Sequence, residues 1–245
     1  MKRLLPSRVP RVISGAIASA LLDPWKEISV MDASLTSSPV PAAGTGSSSE
    51  TAPVSGTKPS REAAMAAVRT LLAWAGDDPS REGLIDTPKR VVDAFEEWFQ
   101  GYKADPAKEL SRTFEDVQGY DDIVMLRDID VESHCEHHMA PFLGKAYVAY
   151  MPTDKVVGIS KIARVVEIYA KRLQTQETMT KQISDALESN LAPKGVAILI
   201  DAQHQCMSTR GVHHKDVSTI TTRFTGVFKT DIALQERFLR FCQRM

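Results

Sequence analysis

Cysteine is scarce. The 245 residues hold three, Cys135, Cys206 and Cys242, one short of two disulfides and too few for a disulfide-stapled scaffold. An excess of charge of one sign is also missing: 30 Lys and Arg stand against 31 Asp and Glu, for a formal net charge of −1. No global basic field therefore advertises nucleic acid. The apolar run from Val12 to Leu22 covers eleven residues, well short of the ~20 that a membrane-spanning helix needs. No internal repeat is evident, and no Pro-Cys-x-x-Cys half-site of a zinc deaminase occurs. What remains, 43% hydrophobic and 25% charged residues, is ordinary for a globular chain. Free cysteines point to a reducing, cytoplasmic setting, with no nucleic-acid or membrane partner.

Two regions differ in texture. Lys2, Arg3, Arg8 and Arg11 precede the apolar run, which includes Ala18-Ser19-Ala20, so the outline of a signal or transit peptide is present. Met31 offers a second start, and residues 33–60 are small, polar and turn-forming. Residues 1–60 are read as a disordered or targeting-like extension, and 61–245 as one catalytic domain with a helical part over 61–105.

Within that domain Ala64, Val68, Leu71, Leu72 and Ala75 recur at helical spacing, with Gly76 as a stop. Thr87 reads as the cap of a second helix, with Pro88 following and Val91, Phe95 and Trp98 on one face. Residues 123–131 and 145–151 are rich in β-formers, and the connection 132–144 carries Cys135-Glu136-His137-His138. Helices follow from Ser160, as a cap, and through Met179, Ile183 and Leu187. Strands over 195–202 and 218–228 and a last helix from Ile232 complete the chain. The order ββααββ argues for an α+β fold, an antiparallel sheet with two helices on one face, preceded by N-terminal helices.

Cys135 and His138 are three apart, so a thiolate and an imidazole in one loop reach the same ion. Cys206 lies 68 residues beyond His138, a separation only a folded domain closes. Three protein ligands leave a fourth position of a tetrahedral zinc for water, whereas a fourth ligand, His134 or His137, would close a structural site. His204 and Cys206 are two apart in what reads as an extended segment, which puts both on one face. His137 and His204 are proton-transfer candidates. Lys161 and Arg164, i and i+3 beyond Ser160, form a candidate phosphate cradle. Arg90, Arg210 and Glu177 taken singly read equally well as surface or helix-terminus charges.

The stretches Asp86-Thr87-Pro88-Lys89-Arg90, Ser133 to His138, Gly158 to Arg164, Gln174-Thr175-Gln176-Glu177, His204-Gln205-Cys206 and Arg210-Gly211 occur in this order. Together they resemble the motifs of the GTP cyclohydrolase I family over roughly residues 62 to 245. The sequence departs from the family's pattern at His134, which stands where a non-ionisable residue is usual, and around His213-His214. The resemblance implies the tunnelling fold over 120–245 and a homodecamer with active sites between subunits. It implies hydrolysis of GTP to formate and 7,8-dihydroneopterin triphosphate, with Zn2+ on Cys135, His138 and Cys206. His137 and His204 would move protons, and Glu177 would accept from guanine N1–H and the 2-amino group. Gln176 would also contact substrate, Lys161, Arg164, Arg210 and Arg90 would hold the triphosphate, and Ser160 would assist beside them. The same resemblance leaves two rivals: another tunnelling-fold enzyme acting on a pterin or deazapurine, and a catalytically silent regulatory subunit.

Overall fold

Ser60 opens the first helix by accepting a hydrogen bond from the Ala63 amide at 3.2 Å, satisfying one donor that a helix start leaves free. A computed structural model describes residues 58–114 and 120–243. The N-terminal extension expected over 1–60, with its signal-like run, therefore lies almost wholly outside the described residues. Helix α1 spans Arg61–Trp74, and the chain turns at Gly76, whose φ of +97° suits a residue without Cβ. Helix α2 (Thr87–Trp98) starts one residue earlier than expected: Asp86 is the cap and Thr87 is already helical. Pro88 brings no N–H to the first turn, and no side chain caps it.

A short 3₁₀ turn, Gln100–Lys103, and helix α3 (Pro106–Leu110) lead to β1 (Thr113–Phe114). Then come β2 (Val124–Cys135), β3 (Pro141–Met151), β4 (Val156–Val157), α4 (Ile159–Ala170), β5 (Leu173–Gln174) and α5 (Gln176–Leu191). The chain continues through β6 (Gly195–His204), a one-turn helix α6 (Gln205–Ser208), β7 (Thr219–Phe224), α7 (Gly226–Thr230) and α8 (Ile232–Cys242). Among the described residues no helix is long and apolar enough to cross a membrane.

The main sheet has the order β5-β2-β3-β6-β7. It is antiparallel except where two-residue β5 runs parallel to the end of β2. Period-two alternation sorts the strands between two apolar layers. Phe142, Ala146, Val148 and Tyr150 of β3, with Val196, Ile198 and Ile200 of β6, face Ile162, Val165 and Val166 of α4 and Met179, Ile183 and Leu187 of α5. The intervening Ala149, Ala197 and Leu199 face Phe228 and Phe238 from α7 and α8. The α+β class is as expected, with α4 and α5 on one face; the C-terminal helices cover part of the other.

Both central strands run farther than their β-former content suggests, so the connection between them shrinks from 132–144 to residues 136–140. Ser133 and His134 look like loop residues, yet both are buried. The Ser133 hydroxyl donates to the Arg172 carbonyl at 3.5 Å, and the His134 ring lies 4.8 Å from that of Trp98. A carbonyl acceptor for Ser133 and aromatic rings around His134, both invisible along the chain, let a polar segment continue as strand.

Gly101 fastens the helical segment to the sheet. Its amide donates to the Lys171 carbonyl at 3.0 Å, and a Cβ there would meet the Ile168 carbonyl oxygen at 2.0 Å. Arg172 closes the same seam, donating from Nε to Gly101 O at 3.1 Å with its guanidinium 4.8 Å from the centre of the Tyr169 ring. Gly101→Ala is expected to destabilise the fold by about 1–3 kcal/mol through overpacking, read as a lowered urea midpoint at unchanged slope.

Candidate active site

The sheet delivers the chemistry to one end. Register pairs His134 with Pro141, Phe142 with His204, and Cys135 with Gln174. The last residue of β2, the first turn beyond β6 and the residue preceding the cap of α5 therefore converge. Cys135 closes the 136–140 turn on itself: its amide donates to Ala140 O and its carbonyl accepts from Met139 N, each at 2.8 Å. Met139 takes a left-handed φ of 51° to complete the turn.

Cys135 Sγ, a ring nitrogen of His138 and Cys206 Sγ all lie within 4.8 Å of one another. This group could hold a metal ion, since bonds of about 2.0–2.3 Å from one centre would need only small side-chain adjustments. Cys135 is buried, Cys206 half-buried and His138 exposed, so one side of the group opens to solvent. Burial first, and the facing Cys135 second, push the Cys206 thiol up from its ordinary value. Two sulfurs so placed resist becoming a pair of thiolates unless a cation shares their charge. Cys206 arrives differently from the expectation: β6 ends at His204, and Cys206 sits on the helical turn α6. Alternation along an extended segment thus fails to explain its direction, although the convergence stands.

His137, exposed, has Nδ1 3.6 Å from Cys135 Sγ. His204 stacks on Phe142, ring centroids 4.5 Å apart and planes 9° apart, and its Nε2 lies 2.9 Å from Gln176 Oε1. Burial lowers the His204 pKa, partly opposed by the Glu177 carboxylate. Glu177 itself is exposed at the start of α5, on the lip of a groove of about 370 Å³ between α5 and β7, with Thr180, Lys181 and Thr221 to Phe224.

The basic residues are brought together only in part. Lys161 Nζ and Arg164 Nη1 both donate to Glu109 Oε2, at 2.7 and 3.3 Å. Lys161 first and Arg164 second hold the Glu109 carboxyl below its ordinary range. Ser160 is exposed in the first turn of α4, whose cap is Gly158 rather than Ser160. Arg210 donates from Nη1 to His138 Nε2 at 2.9 Å, which sets a cation against the metal group. Arg90 lies exposed on α2, 3.5 Å from Asp86. Among the described residues no hydrogen bond or ion pair joins it to the other basic groups.

Gln176, expected to touch substrate, has its carboxamide turned inward: it is 1% exposed and spans β6, β7 and His204. Glu109, Phe142 and Gln176's supporting role are absent from the sequence reading. Each depends on a partner tens of residues away, and no local spacing announces such partners.

The GTP cyclohydrolase I family model matches residues 64–243. The chain is 73% identical to GTP cyclohydrolase 1 of Hyphomonas neptunium over 185 residues, covering 76% of this chain and 90% of that protein. It is 71% identical to GTP cyclohydrolase 1 of Maricaulis maris over 188 residues, covering 77% and 92%. To the same-named protein of Pelagibacter ubique it is 55% identical, over 76% of this chain and 93% of that one.

Proposed function

This chain belongs to the GTP cyclohydrolase I family, and from that premise we infer that it converts GTP and water to formate and 7,8-dihydroneopterin triphosphate, a step of pterin and folate synthesis. The observation that carries the reading is the gathering of Cys135, His138 and Cys206 within 4.8 Å, at the strand end where His204 also sits.

Two sulfurs and one imidazole are a donor set that suits zinc better than calcium or magnesium, whose preference is for oxygen. Cys135, His138 and Cys206 would hold the zinc, which would supply Lewis-acid activation of water, the nucleophile for C8 of guanine. Around it the chain's own groups divide the work. His137, exposed beside the Cys135 thiol, and His204 exchange protons with the purine nitrogens and the ribose. Glu177 accepts from guanine N1–H and the 2-amino group, a pair of donors that adenine does not present. Lys161, Arg164 and Arg210 hold the triphosphate with Ser160 beside them. Arg90, outside that group, is accounted for by an active site completed between subunits of a homodecamer. The setting is the cytoplasm, where the two thiols at the site stay reduced. The folded catalytic domain is assigned to 61–245 and the extension to 1–60.

The test is direct. Purified, zinc-replete protein incubated with GTP is expected to release formate and a fluorescent pterin while leaving ATP intact. Folded, zinc-replete protein that leaves GTP untouched overturns the assignment and favours a silent regulatory subunit.

Glu109 adds a prediction. A triphosphate reaching Lys161 and Arg164 must displace this carboxylate from both. Glu109→Gln is expected to lower KM for GTP a few-fold, the scale of exposed ion pairs, with kcat little changed in steady-state assays. Since Glu109's pKa is depressed, its pairing is present above the ordinary glutamate pKa. It is lost as pH falls through the lower folded value, so the difference between variant and parent should narrow in acid.

A further inference from the structure

Gln176 begins α5 with its side chain 1% exposed. Its Nε2 stands 3.0 Å from Ile200 O, 2.8 Å from Thr219 O and 3.2 Å from Thr221 Oγ1. Two of those neighbours are carbonyl oxygens, which only accept. Rotating the amide by half a turn would press Oε1 against both, so the orientation of the carboxamide, ordinarily a matter of assignment, is dictated by the backbone of β6 and β7. The hydroxyls agree. Thr180 Oγ1 donates to Gln176 O at 2.7 Å and lies 2.7 Å from Thr221 Oγ1. Thr180's one proton is thus used on Gln176, the Thr221 proton points at Thr180, and Thr221 keeps lone pairs for Gln176 Nε2.

Only Oε1 remains, and it lies 2.9 Å from His204 Nε2. An amide oxygen has no proton to give, so the short contact requires the proton on His204 Nε2. The Phe142 ring, stacked 4.5 Å away with planes 9° apart, holds the imidazole plane.

We propose that Gln176 is a positioning residue that holds His204 as the Nε2–H tautomer, so that Nδ1 is the nitrogen that accepts and returns the proton. This rests on the reading of His204 as a proton-transfer group. A proton taken at Nδ1 leaves the Nε2–H to Oε1 bond in place, because that bond has the same direction in imidazole and imidazolium. Gln176 therefore need not move during turnover. The device is relayed: sheet carbonyls orient the amide, and the amide orients the ring.

Solid-state 15N spectra of protein with ring-labelled histidine, compared with His204→Gln for assignment, read the tautomer without reference to catalysis. The parent protein is expected to show neutral His204 protonated at Nε2; a neutral ring protonated at Nδ1 instead overturns the proposal. Gln176→Met, similar in length but with no acceptor for Nε2–H, is expected to lose the Nε2–H preference. Its kcat should fall on the order of 10²-fold, with zinc content retained and KM for GTP within about two-fold. Thr221→Val, which removes one of three acceptors around the amide, is expected to give a smaller loss of the same kind. Unchanged kcat in a folded Gln176→Met protein overturns the proposal. So does a raised KM at constant kcat, which would make Gln176 a substrate contact. A parent protein with the expected tautomer but no action on GTP would overturn the functional assignment and leave the orientation of His204 standing.

Discussion

Cys206→Ser is expected to strip the metal and abolish turnover together, lowering kcat/KM by at least about 10³-fold, the loss of several kcal/mol of Lewis-acid stabilisation. The one-turn helix α6 brings Cys206 within 4.8 Å of Cys135 and His138. Serine keeps the volume but offers a hydroxyl that stays protonated near neutral pH, and two remaining ligands hold an ion poorly. Elemental analysis after a chelator wash should fall from about one zinc per chain to near none. Far-UV circular dichroism distinguishes that loss from unfolding. Retention of both metal and activity would remove Cys206 from the ligand set.

His137→Ala is expected to divide what Cys206→Ser combines. His137 is exposed and reaches Cys135 Sγ at 3.6 Å, beside the three converging donors but not one of them. Removing a general acid or base typically costs about 10²–10⁴-fold in rate, so formate release should fall by that factor at full zinc content. Loss of zinc equal to that of Cys206→Ser would refute the division of roles.

The metal group is legible in the sequence because its chemistry is rare. Two cysteines beside histidines, at positions 135–138 and 204–206, have few alternative explanations in a chain with three cysteines. The helices are legible because α4 and α5 bury apolar residues at helical spacing, Ile162, Val165 and Val166 in one and Met179, Ile183 and Leu187 in the other. What stays hidden depends on partners distant in the chain. Ser133 and His134 finish a strand because Arg172 and Trp98 receive them. Glu109 meets Lys161 across 52 positions. Gln176, grouped with Glu177 by adjacency, is separated from it by one helical step that sends the amide into the core and leaves the carboxylate in solvent. Helix starts at Thr87 and Ile159 come one and two residues early, because Asp86 and Gly158, not the hydroxyl residues Thr87 and Ser160, occupy the caps.

The ligands' placement has a consequence for folding as well as for catalysis. Cys135 ends β2 while Cys206 follows β6, with β3 between those strands, so an ion held by both is also a clasp across the middle of the sheet. An ion that binds only the folded chain shifts the folding equilibrium with its free concentration, by about 1.4 kcal/mol for each tenfold rise above Kd. With zinc as that ion, heat tolerance would follow the supply of free zinc, and metal starvation would leave the chain idle and also easier to unfold. During synthesis the clasp must wait, because its third ligand emerges only after both strands it joins have been made.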